Sequence, residues 1–243
     1  MYTNIPHFDV LPQHVGFIMD GNGRWAQNRG LKRSEGHREG AKTFRKIGEY
    51  CADVGIKYMT FYAFSTENWN RPKDEVRALM KLFKEYLNEG DDRIAENDMR
   101  QMKLRFIGER DNLPSDLLKL IEKAERESEK YNKVTVNIAL NYGGRAEITH
   151  AVKAIAEKVK NGEMSLNDIT EDTVSHSIYT SGQPDPDLIV RPSGEYRLSN
   201  FLTWQSAYSE FWFSDILWPD FSEEDVNKML FDYQNRHRRF GGV

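Results

Sequence analysis

The chain has 243 residues, 39% of them hydrophobic and 30% charged, a composition typical of a globular domain with its own core. Cys51 is the single cysteine, so no intrachain disulfide can form, which fits a reducing compartment. The net charge of -4 argues against a general nucleic-acid-binding surface. Arginines nevertheless crowd several short segments, and this pattern favours a defined anionic ligand.

Residues 1–12 are polar, and we expect a flexible segment there within a single domain spanning residues 1–243. This segment does not resemble a signal peptide. No stretch approaches the roughly 20 apolar residues of a membrane-spanning helix. The sequence therefore predicts a cytoplasmic protein whose contact with a membrane is at most transient and peripheral.

Short apolar runs alternate with amphipathic patterns, which predicts an α/β domain with a largely parallel central sheet flanked by helices. The predicted strands cover residues 15–19, 56–64, 102–107, 134–140, 188–190 and 208–213. Apolar stripes at helical spacing cover residues 44–51, 76–87, 148–159 and 226–233. The stripe at 76–87 contains more large apolar side chains than one sheet face needs.

The first predicted strand is followed by Asp20-Gly21-Asn22-Gly23-Arg24-Trp25, at the sheet edge where parallel α/β proteins bind ligands. Its glycines allow the backbone to approach a ligand closely, and a helix start together with Arg24 favours an anion. A carboxylate at Asp20 would repel a phosphate unless a cation lay between them. The segment therefore suggests Mg²⁺ bridging Asp20 to a diphosphate.

Two other interpretations of this segment stay open. Gly21, Gly23 and Ala26 match the G-x-G-x-x-G/A pattern of dinucleotide sites. That pattern requires an acidic residue at the end of the second strand, where this chain has Ser65. The segment is also compatible with a tight turn that binds no ligand.

Two further segments offer ligands for the same anion. Arg33 and His37 lie near a predicted helix start, where cations oppose the helix dipole unless an anion is bound. A solvated basic turn is the alternative. The segment Ser65-Thr66-Glu67-Asn68-Trp69-Asn70-Arg71-Pro72 combines hydrogen-bonding groups, an aromatic platform and a cation. Its alternative is a capping loop, with Asn70 as the N-cap and Pro72 in the first helical turn.

A second phosphate site is predicted after strand 188–190, where Arg191, Arg197 and Ser199 surround a glycine turn. Glu210 lies between aromatic residues, and a paired or surface glutamate is the simple interpretation. A substrate with diphosphate heads and apolar tails would explain both basic sites and the excess of apolar side chains. Burying hydrocarbon stabilises by about 0.8 kcal/mol per CH₂.

The motifs resemble those of the cis-prenyltransferases, the family of undecaprenyl diphosphate synthase, from about residue 14 to residue 242. The resemblance rests on residues 14–26, Gly36-His37-Arg38-Glu39-Gly40, residues 62–72, Asn141-Tyr142-Gly143-Gly144-Arg145, residues 187–201 and Trp218-Pro219-Asp220-Phe221. The D-D-x-x-D motif of trans-prenyltransferases is not matched, because Asp91-Asp92 is followed by Ala95.

The resemblance implies a magnesium-dependent enzyme that adds isopentenyl diphosphate repeatedly to an allylic diphosphate such as farnesyl diphosphate, forming undecaprenyl diphosphate for cell-wall glycans. It implies catalytic roles for Asp20 and Asn68, and Mg²⁺ bound by Asp20 and Glu210. Substrate binding is implied for Gly21, Asn22, Gly23, Arg24, Trp25, Arg33 and His37. Of these, Asn22, Arg24, Arg33 and His37 match positions that hold the allylic diphosphate or help its departure. Substrate binding is also implied for Ser65, Thr66, Glu67, Trp69 and Arg71, on a mobile loop beside the reacting carbons. Arg191, Arg197 and Ser199 belong to the implied isopentenyl diphosphate site.

The resemblance also implies a tunnel for the growing chain between the helix at 76–87 and the sheet, with Ala63 and the strand at 134–140 as liners. The ending Arg239-Phe240-Gly241 resembles an Arg-x-Gly motif that completes the site across a homodimer. Pro192 departs from the family, which usually has threonine there. Proline removes a backbone N–H, so the affinity for isopentenyl diphosphate is expected to fall if that N–H contacts the ligand.

Several alternatives remain at this stage. They are a shorter-chain cis-prenyl diphosphate synthase, a nucleotide-dependent transferase, a carrier for a lipid diphosphate and a non-catalytic partner subunit. Inactive subunits of such synthases tend to lose the catalytic aspartate and the arginine pair. This chain has Asp20, Arg24, Arg191 and Arg197, which favours an active enzyme.

Overall fold

A computed structural model describes residues 1–89 and 99–236. The strands are β1 (His14–Ile18), β2 (Tyr58–Ser65), β3 (Met102–Ile107), β4 (Val134–Tyr142), β5 (Leu188–Arg191) and β6 (Glu210–Phe213). The helices are α1 (Asn22–Gln27), α2 (Arg33–Val54), α3 (Lys73–Asn88), α4 (Ser115–Ser128), α5 (Gly144–Lys160), α6 (Glu171–Ser175) and α7 (Glu223–Gln234).

The six strands form one parallel sheet in the order β3-β4-β2-β1-β5-β6, which confirms the predicted fold class. Because β1 lies between β2 and β5, the segments that follow these three strands meet at one edge of the sheet. The sequence identified these same segments as candidate anion-binding sites. The strand order therefore positions the site.

Apolar side chains alternate between the two faces of the sheet, as expected for buried strands. On one face, Phe17 stacks on Phe61 with ring centroids 4.8 Å apart, and α2 and α7 cover this layer. Trp218 is fully buried there and donates its indole N–H to the Gly40 carbonyl at 2.9 Å. On the other face, Ile189 packs with Phe201 from a later loop.

Several predicted boundaries differ from the structure. The second strand begins at Tyr58 and not at residue 56, because Gly55 has a φ of 111° and Ile56 N–H still bonds to the Cys51 carbonyl. The predicted N-cap role of Asn70 is wrong, since Asn70 ends a 3₁₀ turn and Pro72 occupies the N-cap of α3. Helix α4 was not predicted at all.

The N-terminal segment, residues 1–12, has no helix or strand but packs along the domain. Tyr2 N–H donates to Asp53 Oδ2 at 2.8 Å, and its ring meets Tyr50 edge-on at 4.9 Å. Phe8 contacts Phe231 of α7 at a centroid distance of 4.8 Å. The segment is thus tied to α2 and α7, and its flexibility stays a prediction. None of the helices within residues 1–89 and 99–236 has the length and apolarity to cross a membrane.

His14 lies in a buried polar network beneath the sheet edge opposite the candidate site. Its Nδ1 is 2.7 Å from the Pro184 carbonyl oxygen and its Nε2 is 2.8 Å from Thr60 Oγ1. A carbonyl only accepts, so Nδ1 carries the proton and the Thr60 hydroxyl donates to Nε2. Complete burial lowers the pKa of His14 to about 4, because it disfavours the imidazolium.

We predict that stability falls as the pH is lowered from about 6.5 to about 4. In this window the unfolded chain protonates His14 while the folded chain does not. The free energy of unfolding should therefore decrease by up to roughly 3 kcal/mol from this residue alone. Urea unfolding at pH 7, 6 and 5 measures the effect. His14→Asn should be less stable at pH 7 but should lose less stability on acidification. An equal loss in both proteins would contradict the assignment.

Candidate active site

The loop between β1 and α1 forms the floor of the site. Gly21 has a φ of 99°, and a Cβ there would lie 2.9 Å from Leu217 Cδ2, so both its conformation and its surroundings require glycine. Gly21 N–H donates to Asp20 Oδ1 at 2.7 Å. Asn22 donates its amide to the Met19 carbonyl at 3.0 Å. Its Oδ1 is buried without a hydrogen-bond partner in the described part of the chain, so it is available to a ligand.

Asp20 faces two arginines that come from different elements. Arg191, at the end of β5 and only 4% exposed, donates from Nη2 to Asp20 Oδ2 at 2.9 Å. Arg24 of α1 lies 3.6 Å from the same oxygen. Burial alone would raise the pKa of Asp20, but the hydrogen bond and charge of Arg191 hold this pKa below its ordinary value. Asp20 is therefore an ionised carboxylate at neutral pH.

Arg191 also organises the loop that follows β5. Its Nη1 donates to Ser199 Oγ at 2.8 Å and to the carbonyl of Arg197. Arg197 pairs with Glu195, whose carboxylate also lies 3.8 Å from Arg24. These contacts bring Arg24 of the first candidate segment and Arg191 of the last to the same carboxylate oxygen of Asp20.

Two arginines and a histidine surround Glu75 in the first turn of α3. Arg33 lies 3.2 Å from this carboxylate, Arg71 3.0 Å and His37 3.6 Å. Burial, followed by the charge of Arg71, lowers the pKa of His37 to about 4, so this ring is neutral at pH 7. Burial would raise the pKa of Glu75, but Arg33 and Arg71 outweigh it and lower that pKa. One carboxylate thus holds three potential anion-binding groups.

The turn between β2 and α3 is built on a reciprocal cap. Ser65 N–H donates to Asn68 Oδ1 at 3.1 Å, and the Ser65 side chain in turn accepts from the Asn68 backbone. Trp69 points away from the site, donates to Asn141 Oδ1 at 2.8 Å and packs on Phe64. Trp69 therefore anchors the turn to the core, and Asn68 lies on the side of the turn that faces the site.

Most of these groups open into one cavity of about 370 Å³, within the range of about 300–1,000 Å³ typical of ligand sites. Its mouth is polar and its depth is apolar, and the deep part lies between α3 and the sheet. Apolar liners of the deep part include Ala63, Phe64, Leu79, Leu82, Phe83, Leu87, Ile138 and Leu140. Ala63 and residues of β4 are thus among the apolar liners, as expected, while a tunnel that takes a growing chain stays a prediction.

The cavity brings together the larger part of the predicted site residues. They are Asp20, Gly21, Asn22, Gly23, Arg24, Arg33, His37, Ser65, Asn68, Arg71, Arg191, Arg197 and Ser199. Four predicted binding residues are not among the liners. Trp25 turns outward to donate to Asp220 at 2.6 Å and to stack under Arg29. Thr66 and Glu67 bond to each other at 3.2 Å, and Trp69 belongs to the core behind the turn.

Glu210 lies far from Asp20 in the same chain. It is level with Leu188 in the sheet, and Leu188 is level with Val15 near the start of β1. Val15 is about 10 Å from Ile18 at ~3.3 Å per residue, and Asp20 lies beyond that. Glu210 pairs instead with Arg236 at 2.8 Å. The expectation that both carboxylates bind one ion therefore does not hold within a single chain.

Two acidic members of the site, Glu75 and Glu195, were not predicted from the sequence. Glu75 is four residues after Arg71, but Arg71 lies before α3 in extended backbone, so helical spacing does not predict their ion pair. Its contacts with Arg33 and His37 arise from packing between α2 and α3, which no local pattern shows. Glu195 stands within a segment already singled out, but its contact with Arg24 also depends on the tertiary fold.

The family described as "Putative undecaprenyl diphosphate synthase" matches residues 18–241. The chain belongs to this family. An isoprenyl transferase of Clostridium perfringens is 53% identical over 235 residues, 97% of this chain and 92% of the relative. The ditrans,polycis-undecaprenyl-diphosphate synthase ((2E,6E)-farnesyl-diphosphate specific) of Micrococcus luteus is 49% identical over 233 residues, covering 96% and 92% of the two chains.

Solved structures agree with this family assignment. Lavandulyl diphosphate synthase from Lavandula x intermedia, in complex with dimethylallyl diphosphate, superposes with a TM-score of 0.91 at 37% identity and covers 95% of this chain and 98% of that one. A probable undecaprenyl diphosphate synthase from Campylobacter jejuni gives 0.77 at 30% identity, covering 96% and 99%. The protein is a cis-prenyltransferase, and the dinucleotide interpretation of residues 21–26 has no support.

Proposed function

We propose that the protein condenses isopentenyl diphosphate repeatedly onto farnesyl diphosphate and forms undecaprenyl diphosphate, a lipid carrier precursor for cell-wall glycans. One observation carries the proposal: a single cavity is lined by Asp20 and several arginines at its mouth and by apolar side chains in its depth, between α3 and the sheet. Two diphosphates and one hydrocarbon chain match this arrangement of charge and polarity. A shorter cis-prenyl diphosphate is the alternative product.

We assign the allylic diphosphate to the wall formed by α1, α2 and the start of α3. Arg33 and Arg71 are held by Glu75, and each can exchange this carboxylate for a phosphate. His37 Nε2 and Asn22 Oδ1 are buried without hydrogen-bond partners among the described residues, which supports a ligand at this wall. The adjoining apolar cavity would take the prenyl chain.

We assign isopentenyl diphosphate to Arg191, Arg197 and Ser199. Arg191 Nε is buried and lacks a hydrogen-bond partner within the described residues, and Arg197 is 59% exposed beside Glu195. The backbone N–H groups of Ser193 and Ser214 make hydrogen bonds that join the end of β5 to the end of β6. Because successive N–H groups of an extended chain point to alternate sides, the backbone of position 192 faces β1 and Asp20. Pro192 would then withhold a donor from this diphosphate and weaken its binding.

The residues present fit a magnesium ion in one respect. Within residues 1–89 and 99–236 there is no cluster of three or more His, Cys, Asp or Glu side chains that could hold a metal. Mg²⁺ sites commonly use one or two carboxylates together with substrate phosphates, and Asp20 is one ionised carboxylate between two diphosphate positions. When bound, Mg²⁺ would neutralise charge on the diphosphates.

The chemistry assigned to the protein is charge stabilisation and positioning. The bond from the allylic carbon to its diphosphate breaks, and Arg33, Arg71 and His37 receive the departing anion. The double bond of isopentenyl diphosphate supplies the electrons for the new carbon–carbon bond, and the proton lost from the isopentenyl unit passes to the released diphosphate. Asn68, held by its cap to Ser65, stands beside the reacting carbons. The chain then advances along the apolar cavity.

We propose further that the enzyme acts as a homodimer in the cytoplasm, with transient contact to a membrane during product release. Strand β6 is an edge of the sheet, and Tyr196 and Tyr208 beside it are each 72% exposed. Exposed aromatic side chains of this kind are common at protein–protein interfaces, so they suit contact with a second copy of the chain. The ending Arg239-Phe240-Gly241, expected to complete the site across the dimer, lies outside the described residues.

The first test follows incorporation of labelled isopentenyl diphosphate into butanol-extractable product with farnesyl diphosphate and Mg²⁺. We expect a ladder of polyprenyl products that EDTA abolishes. Asp20→Ala should lower turnover by at least about a hundredfold, the order expected for a charge-stabilising group, with an unchanged circular dichroism spectrum. Asp172→Ala, at an exposed position in α6, is the matched control. Absence of product with any starter would favour a non-catalytic partner subunit.

Product length tests the placement of the prenyl chain. Ala63→Leu adds a bulky side chain to the cavity wall, so we expect the product ladder to end at shorter chains. Ala78→Leu makes the same change on the exposed side of α3 and should leave the ladder unchanged. Thin-layer chromatography of the dephosphorylated products measures both. Identical ladders in all three proteins would exclude a chain path beside Ala63.

Single arginine variants test which wall binds which substrate. Arg197→Ala should raise KM for isopentenyl diphosphate by about tenfold or more, because it removes a charge-assisted contact to that diphosphate alone. Arg33→Ala is the matched variant on the opposite wall and should raise KM for farnesyl diphosphate instead. Steady-state kinetics with each substrate varied in turn separates the two effects. The reverse pattern would mean that the two sites are exchanged.

A further inference from the structure

Two loops of the site meet behind its mouth. The turn Thr66–Asn70 contains Asn68 and leads into Arg71, so it belongs to the allylic side. The loop after β5 contains Arg197 and Ser199 and belongs to the isopentenyl side. The two loops are more than a hundred residues apart in sequence, and Asn200 and Glu67 join them.

Asn200 makes three hydrogen bonds with different partners. Its Nδ2 donates to Glu67 Oε1 at 2.8 Å. Its Oδ1 accepts from Arg145 N–H at 2.9 Å, and its carbonyl oxygen accepts from Gly144 N–H at 2.7 Å. The last two bonds cap the start of α5, a rigid helix. Asn200 therefore ties the turn Thr66–Asn70 to the body of the domain as well as to the loop that holds Ser199.

The backbone beside the hydrogen bond between Asn200 and Glu67 has conformations that are unfavourable for most residues other than glycine. Ser199, Asn200 and Leu202 all have positive φ angles, of 51°, 66° and 43°. Non-glycine residues in this region cost free energy and persist where the surrounding structure holds them, often at functional sites. Asn tolerates this conformation better than most residues.

Gly143 leaves the space in which the two loops meet. A Cβ at Gly143 would lie 2.7 Å from Asn200 Nδ2 and 2.7 Å from Thr66 Oγ1. Tyr62 adds a parallel link, since its hydroxyl lies 3.2 Å from the Ser199 carbonyl oxygen and its ring stacks on Phe201. The contact between the two loops is thus supported by Tyr62 of β2 and by Gly143, which follows β4.

We propose that the hydrogen bond between Asn200 and Glu67 couples the two diphosphate pockets, so that a ligand in one pocket orders the loop that forms the other. Asn200 and Glu67 are positioning residues, since neither lines the cavity. The inference rests on the proposed function, because it needs two anionic substrates at these two walls. The coupling is a reciprocal change in affinity.

Asn200→Asp disrupts the hydrogen bond to Glu67 and retains the hydrogen bonds that cap α5. Aspartate retains the oxygen that accepts from Arg145 and tolerates a positive φ, but its second oxygen repels the Glu67 carboxylate. The double variant Asn200→Asp/Glu67→Gln restores a hydrogen bond with its direction reversed, because the amide introduced at position 67 donates to the carboxylate introduced at position 200. A purely structural role for Asn200 would not be rescued by a change at position 67.

The test measures the dissociation constant of isopentenyl diphosphate with and without farnesyl thiodiphosphate, an unreactive allylic analogue. In the unmodified protein the analogue should tighten isopentenyl diphosphate binding by roughly tenfold, a coupling of ordinary size. A partly exposed hydrogen bond contributes a modest free energy to the coupling between the two sites. Asn200→Asp should therefore reduce the tightening by the analogue to about threefold or less. The double variant should return it toward the original value.

Two further variants keep the result interpretable. Glu67→Ala removes the bond without touching the α5 cap and should also reduce the factor, even if Asn200→Asp folds poorly. Asn161→Asp breaks a similar exposed contact, Asn161 Nδ2 to Glu163 Oε1 at 3.2 Å, and should change nothing.

An unchanged factor in both Asn200→Asp and Glu67→Ala, no tightening in the unmodified protein, or failure of the double variant to rescue would overturn the proposal. These outcomes differ from failure of the proposed function, which would appear as absence of product from the unmodified protein in the incorporation assay.

Discussion

The ion pair between Asp20 and Arg191 is the interaction on which the site depends. It joins the end of β1 to the end of β5 at 2.9 Å and places a carboxylate among arginines that would otherwise repel one another. Arg191 in turn positions Ser199 and the Arg197 backbone. The strand order makes this contact possible, because β1 and β5 are neighbours in the sheet.

The other cations of the site are balanced in the same way. Glu75 compensates Arg33 and Arg71, and Glu195 compensates Arg24 and Arg197. Without these carboxylates the protein would have to hold a concentrated positive charge at one sheet edge in the absence of ligand. A diphosphate can replace a carboxylate at each arginine, so the same arrangement that stabilises the free protein prepares it for an anionic substrate.

Helix α3 connects this charged mouth to the apolar depth. Its first turn holds Glu75, while Leu79, Phe83 and Leu87 follow along the side that lines the cavity. The surplus of large apolar residues in this stripe, visible in the sequence, is explained by the cavity wall they form. One helix therefore joins the two parts of the cavity that we assign to the diphosphate and to the hydrocarbon of the proposed substrate.

The sequence by itself determined most of the alternation of strands and helices, with α4 as an exception, together with the parallel sheet and the candidate anion-binding segments. Local periodicity, glycine turns and clustered arginines are properties of neighbouring residues, so they can be recognised without the fold. Only the tertiary structure decided which segments meet. It brought Glu75 to Arg33 and His37, turned Trp25 and Trp69 away from the cavity, and placed Glu210 at the opposite sheet edge from Asp20. Strand order and helix packing set these distances, and both depend on contacts between residues far apart in the chain.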